Sequence, residues 1–185
     1  NAHDLNQMAS RMWHTSRWNN PVYDEAELRK MVNEGLQRLY SMQRGDGGWG
    51  WWQGSSDSDE YMSAYVVYGL AMAKAADVNV RDDVLNRGYE YLHRQMKDED
   101  NLHLLTYMAY ALSQRGTLPG DAQKIVAGRL FEQRARLTPY SQALLALALW
   151  NTREAEKARV LVRNLENTVT IDETNATARW KTQDR

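Results

Sequence analysis

The chain has 185 residues, 43% of them apolar and 10% aromatic, which suffices to bury a core and is too hydrophobic for a disordered segment. Its 23 basic and 24 acidic residues nearly cancel and are spread along the sequence, so no electrostatic footprint for nucleic acid or an anionic membrane is present. With no cysteine, disulfides, cysteine nucleophiles and thiolate metal sites are excluded outright.

Residues 1–23 hold no sustained period: Met8, Met12, Trp13 and Trp18 are apolar, but Asn19-Asn20-Pro21 breaks any helix, and an irregular lead-in is expected. No basic-then-apolar leader pattern occurs there, so the chain reads as beginning inside a longer protein. Residues 24–185 read as one partial helical domain. Asp24 is suited to an N-cap with Glu27 three positions on, and Leu28, Met31, Val32, Leu36, Leu39 and Met42 follow at helical spacing. This helix stops at Gln43-Arg44-Gly45-Asp46-Gly47-Gly48-Trp49-Gly50-Trp51-Trp52, where four glycines turn the backbone and three of the seven tryptophans arrive together.

An alternation follows. Residues 61–73 carry no charge, 81–96 form a charged amphipathic segment, and 102–114 are again uncharged with His103 neutral. A charged segment at 121–136 opens after Pro119-Gly120, an uncharged run spans 137–152, and 153–166 closes the series as a charged helix. Residues 168–180 read as a polar link ending in Trp180. The longest uncharged run, 137–152, is shorter than the roughly 20 residues a membrane-spanning helix needs, and no membrane insertion is expected.

A helix with one polar face can sit at a surface, whereas one without charges must be covered. The two kinds therefore belong to different layers, and strict alternation gives helical hairpins with uncharged members inside and charged members outside. The inner segments share a signature: residues 64–70, AYVVYGL, align with 106–112, TYMAYAL, which favours true repeats. Gly69, Ala64 and Ala109 are expected to permit close approach of inner helices, so that Gly69→Leu should overpack at a cost of about 1 to 3 kcal/mol.

Candidate sites are few. Trp49, Trp51 and Trp52 read first as a plug at the end of the helical layers, since aromatic clusters are usually core, and second as a functional surface. Asp57-Ser58-Asp59-Glu60 resembles in position an acid motif, but a catalytic acid needs burial to hold its proton, and negative charge before a helix is ordinary capping. His3, His14, His93 and His103 lack metal-ligand spacing, and no nucleophile elbow or phosphate loop occurs. No cofactor, metal or catalytic residue is expected.

Gln43-x-x-Asp46-Gly47-Gly48-Trp49-Gly50, placed between an outer and an inner helix, is a form shared by three groups of α/α toroids: terpene cyclases, protein prenyltransferase β-subunits and thioester-containing domains. Residues 36–52 with 58–71 most resemble the bacterial members of the alpha-2-macroglobulin family; elsewhere the likeness is one of helical rhythm over residues 24–180. The resemblance implies a partial α/α toroid from a non-enzymatic, periplasmic or cell-envelope protease-trapping protein. Its partners would be neighbouring domains of the same polypeptide and target proteases, and Trp49, Trp51, Trp52 and Tyr61 would line a thioester pocket or face another domain. Gln43, Asp46, Gly47 and Gly48 would form the structural turn.

The thioester motif Cys-x-Glu-Gln is absent here, so the resemblance implies that it lies upstream in the parent protein or has been lost. Complement-type members carry a histidine between this turn and the next inner helix. None occurs between Gln43 and Tyr61, which implies direct attack by amines on any thioester. The zinc cysteine of a prenyltransferase is excluded by composition. A terpene-cyclase-like enzyme and a non-covalent helical scaffold for protein binding remain as alternatives.

Overall fold

The computed structural model describes residues 24–52 and 57–180; the expected lead-in at 1–23 lies outside them. The chain divides into two compact units, residues 1–41 and 42–185. In the first, helix α1 (Glu25–Met42) is started by Asp24, whose Oδ1 accepts from the backbone N–H groups of Ala26 at 2.9 Å and Glu27 at 3.2 Å.

Among its described residues, the regular elements of the second unit are helices and one hairpin. Its elements are α2 (Glu60–Ala75), α3 (Asp82–Gln95), α4 (Leu102–Ser113), α5 (Gly120–Lys124) running into a π-helical stretch (Ile125–Leu130), α6 (Pro139–Asn151) and α7 (Ala155–Thr168). The uncharged helices stand in a row, α2 against α4 and α4 against α6. The charged ones back them: α3 packs on α2 and α4, the π-helical stretch on α4 and α6, and α7 on α6. An all-α chain of inner and outer helices results, with Val67, Leu70, Leu92, Leu105, Met108, Leu112, Leu145 and Leu149 buried between the layers. Each such side chain contributes on the order of 1.5 to 3 kcal/mol.

Four expectations need correction. The inner row is covered on its outer side and flanks only: Tyr61, Tyr65, Met72, Tyr140, Leu147 and Trp150 are exposed on the charge-free helices. Tyrosine explains half of this, because its ring packs while its hydroxyl takes water, so a helix can lack charge and still present a wetted face. Gly69 lies on an exposed position, and a Cβ built there meets nothing within 4 Å, so it makes no close approach and the overpacking expected of Gly69→Leu does not arise. Ala64 and Ala109 are fully buried. The close approach is made by Gly88 of α3, where a Cβ would lie 2.6 Å from a Val67 methyl and 3.0 Å from the Trp49 ring.

The charged segment at 121–136 is also not one regular helix. Ala122, Val126 and Leu130 are its buried residues, spaced four apart. That spacing drifts around an α-helix of 3.6 residues per turn, and the wider π-turns keep all three on the buried line. A 3-10 turn (Arg134–Arg136) then leads to α6. Finally, the link expected at 168–180 is an antiparallel hairpin, β1 (Val169–Asp172) with β2 (Thr177–Trp180), paired Val169 to Trp180 and Asp172 to Thr177. Asp172 Oδ1 accepts from the N–H groups of Thr174 and Asn175 in its turn, and the Trp180 indole N–H donates to the Leu165 carbonyl at 2.8 Å, tying the hairpin to α7.

Candidate functional site at the glycine-rich turn

Residues 43–49 are held by a closed set of hydrogen bonds. The Gln43 amide donates to the carbonyls of Gly47 at 3.0 Å and Val84 at 2.8 Å, while its Oε1 accepts from Arg87. A side chain with both a donor and an acceptor is needed there, and the amide supplies them without charge. Gly47 has φ +93°, and a Cβ on it would lie 2.5 Å from the Arg87 carbonyl oxygen, so glycine is required twice over. Asp46 Oδ1 accepts from the Gly48 N–H at 3.0 Å and the Ser58 hydroxyl at 2.8 Å. A Cβ on Gly48 would fall 2.6 Å from Ser58.

Trp49 follows as an isolated bridge to Asp59. Its N–H donates to Ser63 Oγ at 2.8 Å, its carbonyl accepts from Asp59 N–H at 2.8 Å and from Ser63 Oγ at 3.2 Å, and its ring is 1% exposed. Asp59 caps α2 by accepting from the Met62 N–H at 2.7 Å, and Glu60 accepts from the Gln95 amide at 3.3 Å. The acidic run thus starts a helix.

The tryptophans divide at this point. Trp49 belongs to the core, whereas Trp51 is 56% and Trp52 76% exposed. Trp51 stacks on Tyr61 with centroids 6.3 Å apart and rings within 7° of parallel. Tyr61 in turn lies 5.3 Å from Tyr107 of α4, and Tyr68 lies 5.2 Å from Tyr110. The glycine-rich turn therefore leads onto an aromatic face that crosses the inner row. Burial and the neighbouring phenols, those of Tyr61 and Tyr140 foremost, push the Tyr107 hydroxyl well above its ordinary range; burial and the hydrogen bond with Tyr68 push Tyr110 up to about 12. Both of these hydroxyls accordingly keep their protons at physiological pH.

Beside Tyr61 and Tyr107 a cleft of about 470 Å³ is completed by His103, Tyr140 and Ser141. His103 Nδ1 lies 2.9 Å from Ser141 Oγ. Sequence reading did not assign these residues to a site. The available signal was the repeat itself, which aligns Tyr65 and Tyr68 with Tyr107 and Tyr110 and so puts tyrosines of successive inner helices on one face. His93, by contrast, meets Asp121 at 2.8 Å across two outer elements, and His3 and His14 lie outside the described residues. Among the described residues no group of three or more His, Cys, Asp or Glu side chains converges as a metal site, and no helix is long and apolar enough to cross a membrane.

No protein-family model matches the chain. Over 89 residues it is 38% identical to an alpha-2-macroglobulin of Thermotoga maritima, a match covering 48% of this chain and 5% of that protein. The crystal structure of native alpha-2-macroglobulin from Escherichia coli, running from domain MG7 to the C-terminus, matches with a TM-score of 0.66 and 27% identity, over 81% of this chain and 25% of that one. Escherichia coli alpha-2-macroglobulin activated by porcine elastase matches with a TM-score of 0.64 and 27% identity, over 78% of this chain and 14% of that one. The chain spans only a small part of the length of each.

Proposed function

We propose, from the chain's kinship with the bacterial alpha-2-macroglobulins, that it is a piece of a protease-trapping protein and forms part of an α/α-toroid domain of thioester type. The observation that carries this reading is the joint match: 38% identity to one such protein and a common fold over 81% of the chain with another. Activation of the Escherichia coli protein by an elastase supports proteases as the targets. The chain's part is structural and non-enzymatic, within a cell-envelope or periplasmic protein. Any thioester belongs to a cysteine elsewhere in the parent, since this chain has none.

Within that reading Trp51, Trp52 and Tyr61 form the aromatic surface against which a thioester or a neighbouring domain is packed. Exposed aromatic rings suit the task, because a thioester survives only where water is excluded, and large apolar rings exclude it once a partner closes over them. Trp49, Gln43, Asp46, Gly47 and Gly48 hold that surface in place. The absence of histidine between Gln43 and Tyr61 fits capture of amines.

The parent protein tests this. Incubated with elastase or trypsin, it should be cleaved once at an exposed segment and should then carry the protease in a covalent adduct stable to denaturant. Methylamine added beforehand should increase the mass of the parent and abolish the adduct. Protease retained without methylamine incorporation would show non-covalent trapping, and no retention at all would defeat the proposal.

A further inference from the structure

One cleft of the second unit is lined by a ring from each of three inner helices: Tyr61 of α2, Tyr107 of α4 and Tyr140 of α6. The face of an aromatic ring is the negative pole of its quadrupole, so rings gathered about one space attract a cation into it. Charge at the rim acts in the same direction. Asn101, which lines the cleft, gives its backbone N–H to the Glu99 carboxylate at 2.6 Å. Among the described residues no Lys or Arg lines the cleft, and His103, its basic side chain, has Nδ1 taken up by Ser141 Oγ at 2.9 Å. Between the two common cationic side chains, the acceptors decide. A guanidinium fork is best met by both oxygens of a carboxylate, and Glu99 Oε1 is already engaged with the backbone, whereas an ammonium is a point charge that separate phenol oxygens can satisfy. The volume of about 470 Å³ admits a four-carbon stem, and Leu104 gives that stem an apolar contact.

We infer that this cleft takes the side chain of a lysine, its ammonium against the rings of Tyr61, Tyr107 and Tyr140 and its stem along Leu104. The lysine comes from the surface of a captured protein, and for that source the inference rests on reading the chain as part of a protease-trapping protein. The binding itself makes no covalent bond and needs no thioester. It makes the three tyrosines the residues that choose lysine over other side chains before any bond forms.

The test uses the parent protein, treated with methylamine and dialysed so that any thioester is already consumed, at about pH 8, where an ordinary imidazole is neutral and a lysine charged. Three probes are titrated by calorimetry: N-acetyl-lysine methylamide, its arginine counterpart, and the analogue in which a methyl group replaces the ammonium. The lysine probe should bind about tenfold tighter than the methyl analogue, and tighter than the arginine probe. Tyr140 is 68% exposed, so its replacement leaves the fold intact, which an unchanged melting temperature checks. Tyr140→Phe should keep the preference for lysine, and Tyr140→Leu should cut it by about threefold or more. No binding, equal binding of the lysine and methyl probes, a preference for arginine, or an unchanged preference in Tyr140→Leu would each overturn the inference. Protease retention is read separately: a parent that traps protease without preferring lysine sinks the cleft alone, and one that prefers lysine without trapping leaves the cleft standing and removes only the source of its lysine.

Discussion

Trp49 and Trp51 are two positions apart and do opposite things. Trp49 is enclosed because its backbone is fixed on both sides by Ser63 and Asp59 and because Gly88 leaves room for its ring; Trp51 is turned out onto Tyr61. Trp49→Ala should therefore destabilise the fold by about 3 to 5 kcal/mol, as loss of a buried large aromatic does, measurable by urea unfolding. A near-neutral result would contradict the core assignment. Gly69 gives the reverse case. Its exposed helical position has open space around it, so Gly69→Ala should stabilise by roughly 0.5 to 1 kcal/mol through reduced backbone entropy of the unfolded chain. A thermal melt that falls instead of rising would show that the site is crowded.

At the scale of elements, starts and stops decide the layout. Asp24 caps α1, Asp59 caps α2, Asn101 caps α4 and Thr138 caps α6, each through its side chain. Asp59→Ala should cost about 0.5 to 2 kcal/mol, with Asp59→Asn close to neutral because the amide oxygen can still accept; denaturant midpoints of the two variants check the ordering. These caps were readable in the sequence for α1 and α2, where an acidic residue stands before an apolar period. The hairpin at 169–180 was not read, although Val169, Thr170, Ile171 and Thr177 are β-branched and favour strands. Four-residue strands are too short for alternation to declare itself, and the pairing is fixed by the turn at Asp172 and by the Trp180 bond to Leu165, a contact fifteen residues back in the chain. The π-helical stretch was hidden for a similar reason: a residue added to a turn shifts which side chains face the core without changing composition.

Across the whole second unit, the tyrosines of three inner helices share one face. Tyr110, raised to about 12 from an ordinary 10.0, holds its proton more tightly folded than unfolded. Above pH 10 the unfolded chain releases that proton first, so stability is intact below pH 10 and is lost as pH rises towards 12. Tyr107 acts in the same direction. Melting temperatures followed from pH 8 to pH 11.5 should fall, and Tyr107→Phe with Tyr110→Phe should flatten the fall; an unchanged alkaline slope in the double variant would place the titration elsewhere.

Periodicity and charge were enough to determine that charge-free and charged helices alternate along the second unit, because a charged side chain cannot be buried unpaired and this constraint acts locally along each helix. The glycine-rich turn was legible too, since Gly47 and Gly48 announce backbone positions that admit no side chain. Which tryptophan is core and which is surface, which histidine meets Ser141, and which face of a charge-free helix stays open were decided only by tertiary packing. Those outcomes depend on what lies across from each residue, at Gly88, Ser63 and Tyr107, and separation along the chain carries no trace of it.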